Sequence, residues 1–217
     1  MEVRIVACGI FQPELEQVLK QIREERSDDC IIDVTYVPPA LHIDYDKLKD
    51  GITDALDHAS EQKKVLLFGS MCHPELGEFT EKYHVVRPSP GNCVELILGK
   101  DRQKEIEKSA KVFYLTSGWL QNWEDIFRRG QGWDEIDGRM NFGFYDKILL
   151  LDTDVAEFSD EEILEFFEFT QVPIEIESVD LAVFKENVAK AIEEALNLKL
   201  GDIVKKEIEG VGVLAVA

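Results

Sequence analysis

The sequence predicts an α/β protein with a three-layer, Rossmann-like fold and a mostly parallel sheet. Three observations lead there. Short apolar, β-branched runs alternate with amphipathic helical stretches along nearly the whole chain. That order is the signature of parallel strands with helices on both faces. Several runs, among them VRIVA and KILLL, carry one charged residue in an otherwise apolar stretch, as strands buried on both sides tend to. With 217 residues, of which 45% are hydrophobic, the chain can bury a sizeable core.

The elements follow in order. Val3 to Ala7 reads as a first, fully buried strand. From Pro13 to Glu25, the apolar residues Leu15, Val18, Leu19 and Ile22 recur at helical spacing, and Pro13 suits a first helical turn. Ile31 to Val37 (IIDVTYV) is the second strand, and Tyr45 to Ala59 a helix with Leu48, Ile52, Ala55 and Leu56 on one face. Val65 to Phe68 is a short strand ending at Gly69. A short helix over Pro74 to Lys82 leads to a fourth strand at Tyr83 to Val86. Asn92 caps a helix running to Leu98. Lys111 to Leu115 is strand five, Leu120 to Phe127 a helix, and Lys147 to Leu151 strand six. Ser159, with Glu162 three residues on, forms a capping box for a helix through Phe169, where Phe158, Ile163, Leu164, Phe166 and Phe167 are expected to turn mostly inward. Ile174 to Ser178 is strand seven, and Leu181 to Leu198 a closing helix.

The longest irregular stretch, Arg128 to Phe144, has four glycines and reads either as a flap over a site or as a surface excursion. No repeat and no low-complexity linker divides the chain, so residues 1–200 are expected to form one domain. The tail, 201–217, has strand character and is expected to add an edge strand or to pair with another copy in a homo-oligomer.

Charge narrows the range of partners. There are 24 basic and 44 acidic residues, giving a net charge of -20. Duplex binding needs a basic face, and the only dense basic run is Lys100, Arg102, Lys104, Lys108 and Lys111, so nucleic acid is not an expected partner. Anionic lipid is disfavoured on the same ground. No run of roughly 18 apolar residues offers a membrane span. The start, MEVRIVACGIF, runs straight into a strand pattern and does not resemble a signal peptide, so a cytoplasmic location is expected.

The chemistry-bearing residues cluster by topology. Right-handed crossovers bring every strand's carboxyl end to one edge of the sheet, where ligands of such folds sit. Cys8 follows the first strand, Cys72 follows VLLFGSM, and Cys93 stands at a helix start after RPSPGN. His42, in PPALH after the second strand, belongs to the same edge, and His73 follows Cys72 directly. Cys30 precedes its strand and belongs to the opposite edge. Thiolates and imidazole are ligands for zinc, and thiolates for iron–sulfur clusters. A helix start favours a thiolate at Cys93, so a cysteine nucleophile is a second reading. Inert thiols filling small gaps are a third. His58 and His84 read as core or surface residues.

Weaker candidates lie on the same edge. Thr116, Ser117 and Gly118 after strand five could present hydroxyls and amides to a cofactor's anionic group, or simply cap a helix. Asp152, Thr153 and Asp154 after strand six could bind a cation, act as a base or form a solvated turn. Gly9 and Gly69 suit tight turns and close approach to a ligand. Trp119 and Trp123, four apart, read as core packing. No GxGxxG, Walker A loop, HExxH or GxSxG occurs, which disfavours dinucleotide dehydrogenases, P-loop NTPases, zincins and common serine hydrolases.

The ordered motifs IVACGI, PPALH, LLFGSMCHP, RPSPGNCVELILG, YLTSGWLQNW and ILLLDTD resemble the DUF1638 family, uncharacterised proteins of methanogenic archaea and anaerobic bacteria, over roughly residues 3 to 196. The family pattern has cysteines matching Cys8, Cys72 and Cys93 and a histidine matching His42. The resemblance thus implies a metal site, zinc or an iron–sulfur cluster, with His42 as fourth ligand or close neighbour. His73 departs, because family members more often have Gly-Cys-Gly there, and so it is the weaker ligand candidate. Family genes often lie beside corrinoid-dependent methyltransferase genes. The resemblance therefore suggests a small-molecule ligand and a link to corrinoid methyltransferase proteins in one-carbon metabolism. The corrinoid-binding signature DxHxxG is absent. The alternatives are a cysteine-pair enzyme of the cofactor-independent racemase kind and a non-catalytic interaction protein.

Overall fold

The computed structural model describes residues 1–27, 29–59 and 63–198, apart from the side chains of Ala40 and His42. Among these residues the architecture is α/β with all strands parallel, but they form two three-stranded sheets rather than one. In the first sheet, β1 (Glu2–Cys8) lies between β2 (Ile31–Val37) and β3 (Lys63–Leu67). In the second, β5 (Lys147–Asp152) lies between β4 (Val112–Thr116) and β6 (Ile174–Ser178).

The helices are α1 (Gln12–Glu25), α2 (Tyr45–Asp57), α3 (Leu76–Tyr83), α4 (Cys93–Leu98), α5 (Lys100–Glu107), α6 (Ser117–Trp123), α7 (Glu135–Phe142), α8 (Asp160–Thr170) and α9 (Ala182–Asn197). Among the described residues, none is long and apolar enough to cross a membrane.

Period-two alternation along the central strands creates the layers. In the first sheet, Ile5 and Ala7 of β1 and Val65 and Leu67 of β3 face one core, which α1 and α9 cover. Val6, Leu66 and Phe68 face another, with Leu48, Ile52 and Leu56 of α2 and Phe79 of α3. In the second sheet, Ile148 and Leu150 join the first core, while Leu149 and Leu151 pack on Val94 and Leu98 of α4. Each sheet is thus covered on both faces. The first core is continuous across both halves, and α9 returns from the second sheet to pack on β1 and β3.

Phe184 of α9 is fully buried and stacks on Phe11, with 5.3 Å between ring centroids. Burying such a side chain contributes about 1.5–3 kcal/mol. The outer strand β6 exposes Ile176 but ties its glutamates to Lys147 and Arg102, a charged edge that resists pairing with another chain.

Three expectations are corrected. The strand expected at Tyr83 to Val86 is the end of α3, a left-handed His84 (φ 52°) and a single parallel bridge from Val86 to Val65. The left-handed residue turns the chain too sharply for a strand to begin there. The stretch from Arg128 to Phe144 is not an irregular flap. Helix α6 widens into a π turn over Glu124–Gly130, and Asp134 starts α7 with a capping box to Asp137. Phe127, Trp133 and Phe142 fasten this segment to the core by ring contacts at 5.2–6.2 Å. The glycine count suggested a loop, but aromatic burial prevailed. On α8, Phe166 and Phe169 are buried whereas Leu164 and Phe167 are exposed, so fewer of its apolar side chains turn inward than their number suggests. The tail, 201–217, lies outside the described residues.

Candidate metal centre

Cys8 ends β1, level with Val37 of β2 and one residue past the β1–β3 pairing. The chain leaving β3 passes Phe68 and turns at Gly69, where the Cys72 N–H donates to Gly69 O (3.0 Å). This turn lies flat against the segment that leads into α4. Ser70 N–H donates to Pro90 O (3.3 Å), and Met71 N–H to Gly91 O (2.8 Å). A Cβ on Gly69 would sit 2.5 Å from Asn92 Cα, so only glycine allows the two backbones to meet. Asn92 then caps α4 by accepting from the Glu95 N–H (2.8 Å), which fixes Cys93 as the first residue of that helix.

The three thiols meet electrostatically at this edge. Cys8 is pushed up to about 12, first by burial and then by the neighbouring Cys72 and Cys93 sulfurs, against a backbone hydrogen bond at Ile10. Cys72 is also pushed up to about 12, by burial and by Cys93, and is drawn partly back by the Gly69 backbone and the Arg87 charge. Cys93 is raised by burial, while the Trp119 indole N–H and the amides of Cys93 and Val94 hydrogen-bond its sulfur. All three are free thiols. At neutral pH they are protonated, the opposite of an activated cysteine nucleophile. Each still has N–H donors directed at sulfur, an environment suited to a thiolate held by a metal.

Among the described residues, no three His, Cys, Asp or Glu side chains are grouped so that they could hold a metal ion. The thiols share an edge without being drawn together to ligating distance. His42 lies in the 3-10 turn Pro39–Ile43 after β2, and its side chain is outside the described residues.

The remaining candidates separate clearly. His73 is buried with both ring nitrogens engaged. Nδ1 accepts from the Glu75 N–H (3.0 Å), so Nε2 carries the proton and donates to Tyr45 O (3.1 Å). It is a structural histidine. His58 is exposed near the end of α2, beside Asp54. Cys30 lies at the opposite edge, where the neighbouring Ile31 N–H donates to Met1 O (2.8 Å). Thr116 is buried and caps α6, its hydroxyl accepting from the Trp119 N–H (3.4 Å). Asp152 closes a turn by accepting from the Asp154 N–H (3.0 Å).

Gly9 and Gly118 line a cleft of about 670 Å3 between α1 and α6, together with Gln12, Pro13, Asn122 and Asp154. It lies where the carboxyl ends of the two sheets approach, the usual place for a ligand crevice. None of the three cysteines lines it, so thiols and cleft are separate features of one edge.

Sequence reasoning missed three polar residues here. Trp119, expected in the core, hydrogen-bonds the Cys93 sulfur while stacking on Phe127 at 6.0 Å. Arg87 was not singled out within RPSPGN. Glu14 of α1 is completely buried (0% exposed), and its Oε1 accepts from Ser117 Oγ (2.9 Å) and Thr153 Oγ1 (3.2 Å). Its Oε2 meets no donor or acceptor among the described residues. Burial raises this carboxyl above the ordinary range. One signal was available, since Glu14, Val18 and Ile22 share a helical face at spacing four.

The fold is that of a Rossmann-like α/β protein, with Cys8 and Cys72 after the carboxyl ends of β1 and β3 and Cys93 at the start of α4. The chain belongs to the family described as "Protein of unknown function (DUF1638)", whose model matches residues 36–188. The match includes His42, Cys72 and Cys93 and begins after Cys8. No curated protein and no solved structure matches the chain.

Proposed function

We propose that the protein binds zinc or an iron–sulfur cluster through Cys8, Cys72 and Cys93, with His42 as fourth ligand or close neighbour. We further propose that it handles a small ligand at this centre in corrinoid-linked, anaerobic one-carbon metabolism. One observation carries the metal reading. Three thiols from three separate loops act on one another at a single sheet edge, each with backbone or indole N–H groups directed at its sulfur. Soft metals select such a donor set. The metabolic setting rests on the family resemblance alone.

Binding would displace protons from thiols that burial keeps neutral, so affinity should strengthen as pH rises. The chain has a large hydrophobic core of its own, so the metal is not needed to fold it, and the centre is functional rather than structural. When bound there, zinc supplies a Lewis acid and a cluster supplies an open or exchangeable iron. The protein's part is to hold the thiolates by N–H donation and to present the neighbouring edge to the ligand.

Anaerobic purification followed by elemental analysis and a visible spectrum tests the reading. Close to one zinc or one cluster per chain is expected. Protein that is metal-free and also takes up no metal on anaerobic reconstitution would refute it.

A further inference from the structure

Beside Cys72 the fold places a positive charge that no carboxylate among the described residues pairs with. Arg87 follows Val86, the residue bridged to β3, and opens the segment whose backbone runs along the Gly69–Cys72 turn. Its charge acts on the Cys72 sulfur. Among the described residues, Arg87 has no ion-pair partner, and its Nη1 is closed to solvent and meets no acceptor. Carboxylates are not scarce in a chain with 44 acidic residues, yet none of the described ones pairs with Arg87. An uncompensated, partly buried guanidinium carries a desolvation penalty that the fold itself does not offset. The planar fork of arginine matches carboxylate and phosphate oxygens two at a time.

We propose that Arg87 anchors an oxyanion subsite beside the three thiols, and that the small ligand taken up at this edge carries a carboxylate or phosphate group. The ligand's place next to a metal rests on the preceding reading; the anion subsite does not. A simpler role for Arg87 would be to balance the charge of metal-bound thiolates, and the two roles lead to different results. Loss of a counter-charge weakens metal binding, whereas loss of an anchor weakens anion binding and leaves the metal in place.

The test is calorimetric titration of the full chain, as purified anaerobically and again after chelation. Acetate and inorganic phosphate are used in separate arms, with chloride as control. Wild type is expected to bind one oxyanion, the preferred arm naming the group. Arg87→Gln should bind it roughly tenfold more weakly or worse, as for a lost charge-assisted hydrogen bond, with metal content and far-UV circular dichroism unchanged. Arg87→Lys, which keeps the charge without the fork, should fall between, and it remains informative if the glutamine variant does not fold. Anion binding by a chain that never holds metal would support the subsite and refute the metal centre. A metal-loaded chain that binds neither anion would do the reverse. Equal anion affinity in wild type and Arg87→Gln, or metal loss as the only effect of the substitution, would overturn the subsite.

Discussion

Serine in place of Cys8, Cys72 or Cys93 is expected to lower metal affinity by roughly tenfold or more, since even a supporting residue behind a ligand is worth about 10–100-fold. The fold should survive. Cys72 lies in a turn after β3 whose backbone hydrogen bonds, Ser70 to Pro90 and Met71 to Gly91, do not involve its sulfur. Serine replaces sulfur with a smaller polar atom at a partly buried position, a change in the ordinary range of about 0.5–3 kcal/mol. The Cys72→Ser variant should therefore keep its helical circular dichroism while losing metal. Cys30→Ser is the control, because Cys30 lies at the amino edge of the first sheet, where its Sγ only approaches Ile31 O at 3.8 Å. Equal metal loss in all four variants would mean that the thiols do not act as a group defined by the sheet edge. Unfolding of Cys72→Ser on chelation-sensitive terms would make the centre structural.

The second large effect is expected at Glu14. This carboxyl joins α1 to Ser117 at the start of α6 and to Thr153 after β5, and so ties the two halves together. Glu14→Ala leaves both hydroxyls without their acceptor, at about 1–3 kcal/mol for each buried group left unsatisfied. Its charge state has a separate consequence. Burial raises the carboxyl above its ordinary value, so the native state holds the proton more tightly than the unfolded chain does. The stability this gives is complete below the ordinary glutamate range and is lost as pH rises through the raised value. Glu14→Gln mimics the neutral acid at all pH values. Denaturant titrations at intervals from about pH 4 to 8 should show the glutamine variant near wild type at the acid end and gaining on it as pH rises. The comparison cancels the repulsion arising from the net charge of -20, which both proteins share to within one charge. A wild-type-to-variant difference that is flat with pH would mean that Glu14 titrates alike in the native and the unfolded chain, contrary to a carboxyl raised by burial.

Most of the fold was legible because the strands are short, mostly apolar or β-branched runs set between amphipathic helical stretches. VRIVA, IIDVTYV and KILLL fall within β1, β2 and β5. Legibility failed where local signals competed with tertiary ones. Tyr83 to Val86 has β-branched residues, but Tyr83 is fixed in α3 beside Phe79, and His84 takes the left-handed turn. The glycines between Arg128 and Phe144 suggested a loop. Gly138 instead lets α7 approach α8, since a Cβ there would sit 2.7 Å from Phe169 O. The division into two sheets could not be read from order alone, because a long α3–α5 excursion separates β3 from β4 in a way that a single sheet would also allow.

At the site, the places of Cys8 and Cys72 after the carboxyl ends of β1 and β3 were legible from strand direction, which parallel topology imposes. The supporting shell was not. Trp119 reads as one of two core tryptophans, and nothing in its spacing shows that its indole reaches Cys93. Arg87 lies in a segment rich in proline and glycine whose path is set by backbone contacts with the Gly69 turn. Glu14 is a polar residue at an apolar helical position, and its meaning depends on two hydroxyls more than a hundred residues away in the chain.

The most direct test of the three-thiol centre is the X-ray absorption spectrum of anaerobically prepared, metal-loaded protein, read at the metal edge. The account predicts, for zinc, a shell of about three sulfur scatterers at about 2.3 Å with the remaining position filled by a lighter atom, and, for a cluster, a mainly sulfur shell around each iron together with iron neighbours. A shell of nitrogen and oxygen alone, or a single sulfur, would contradict it.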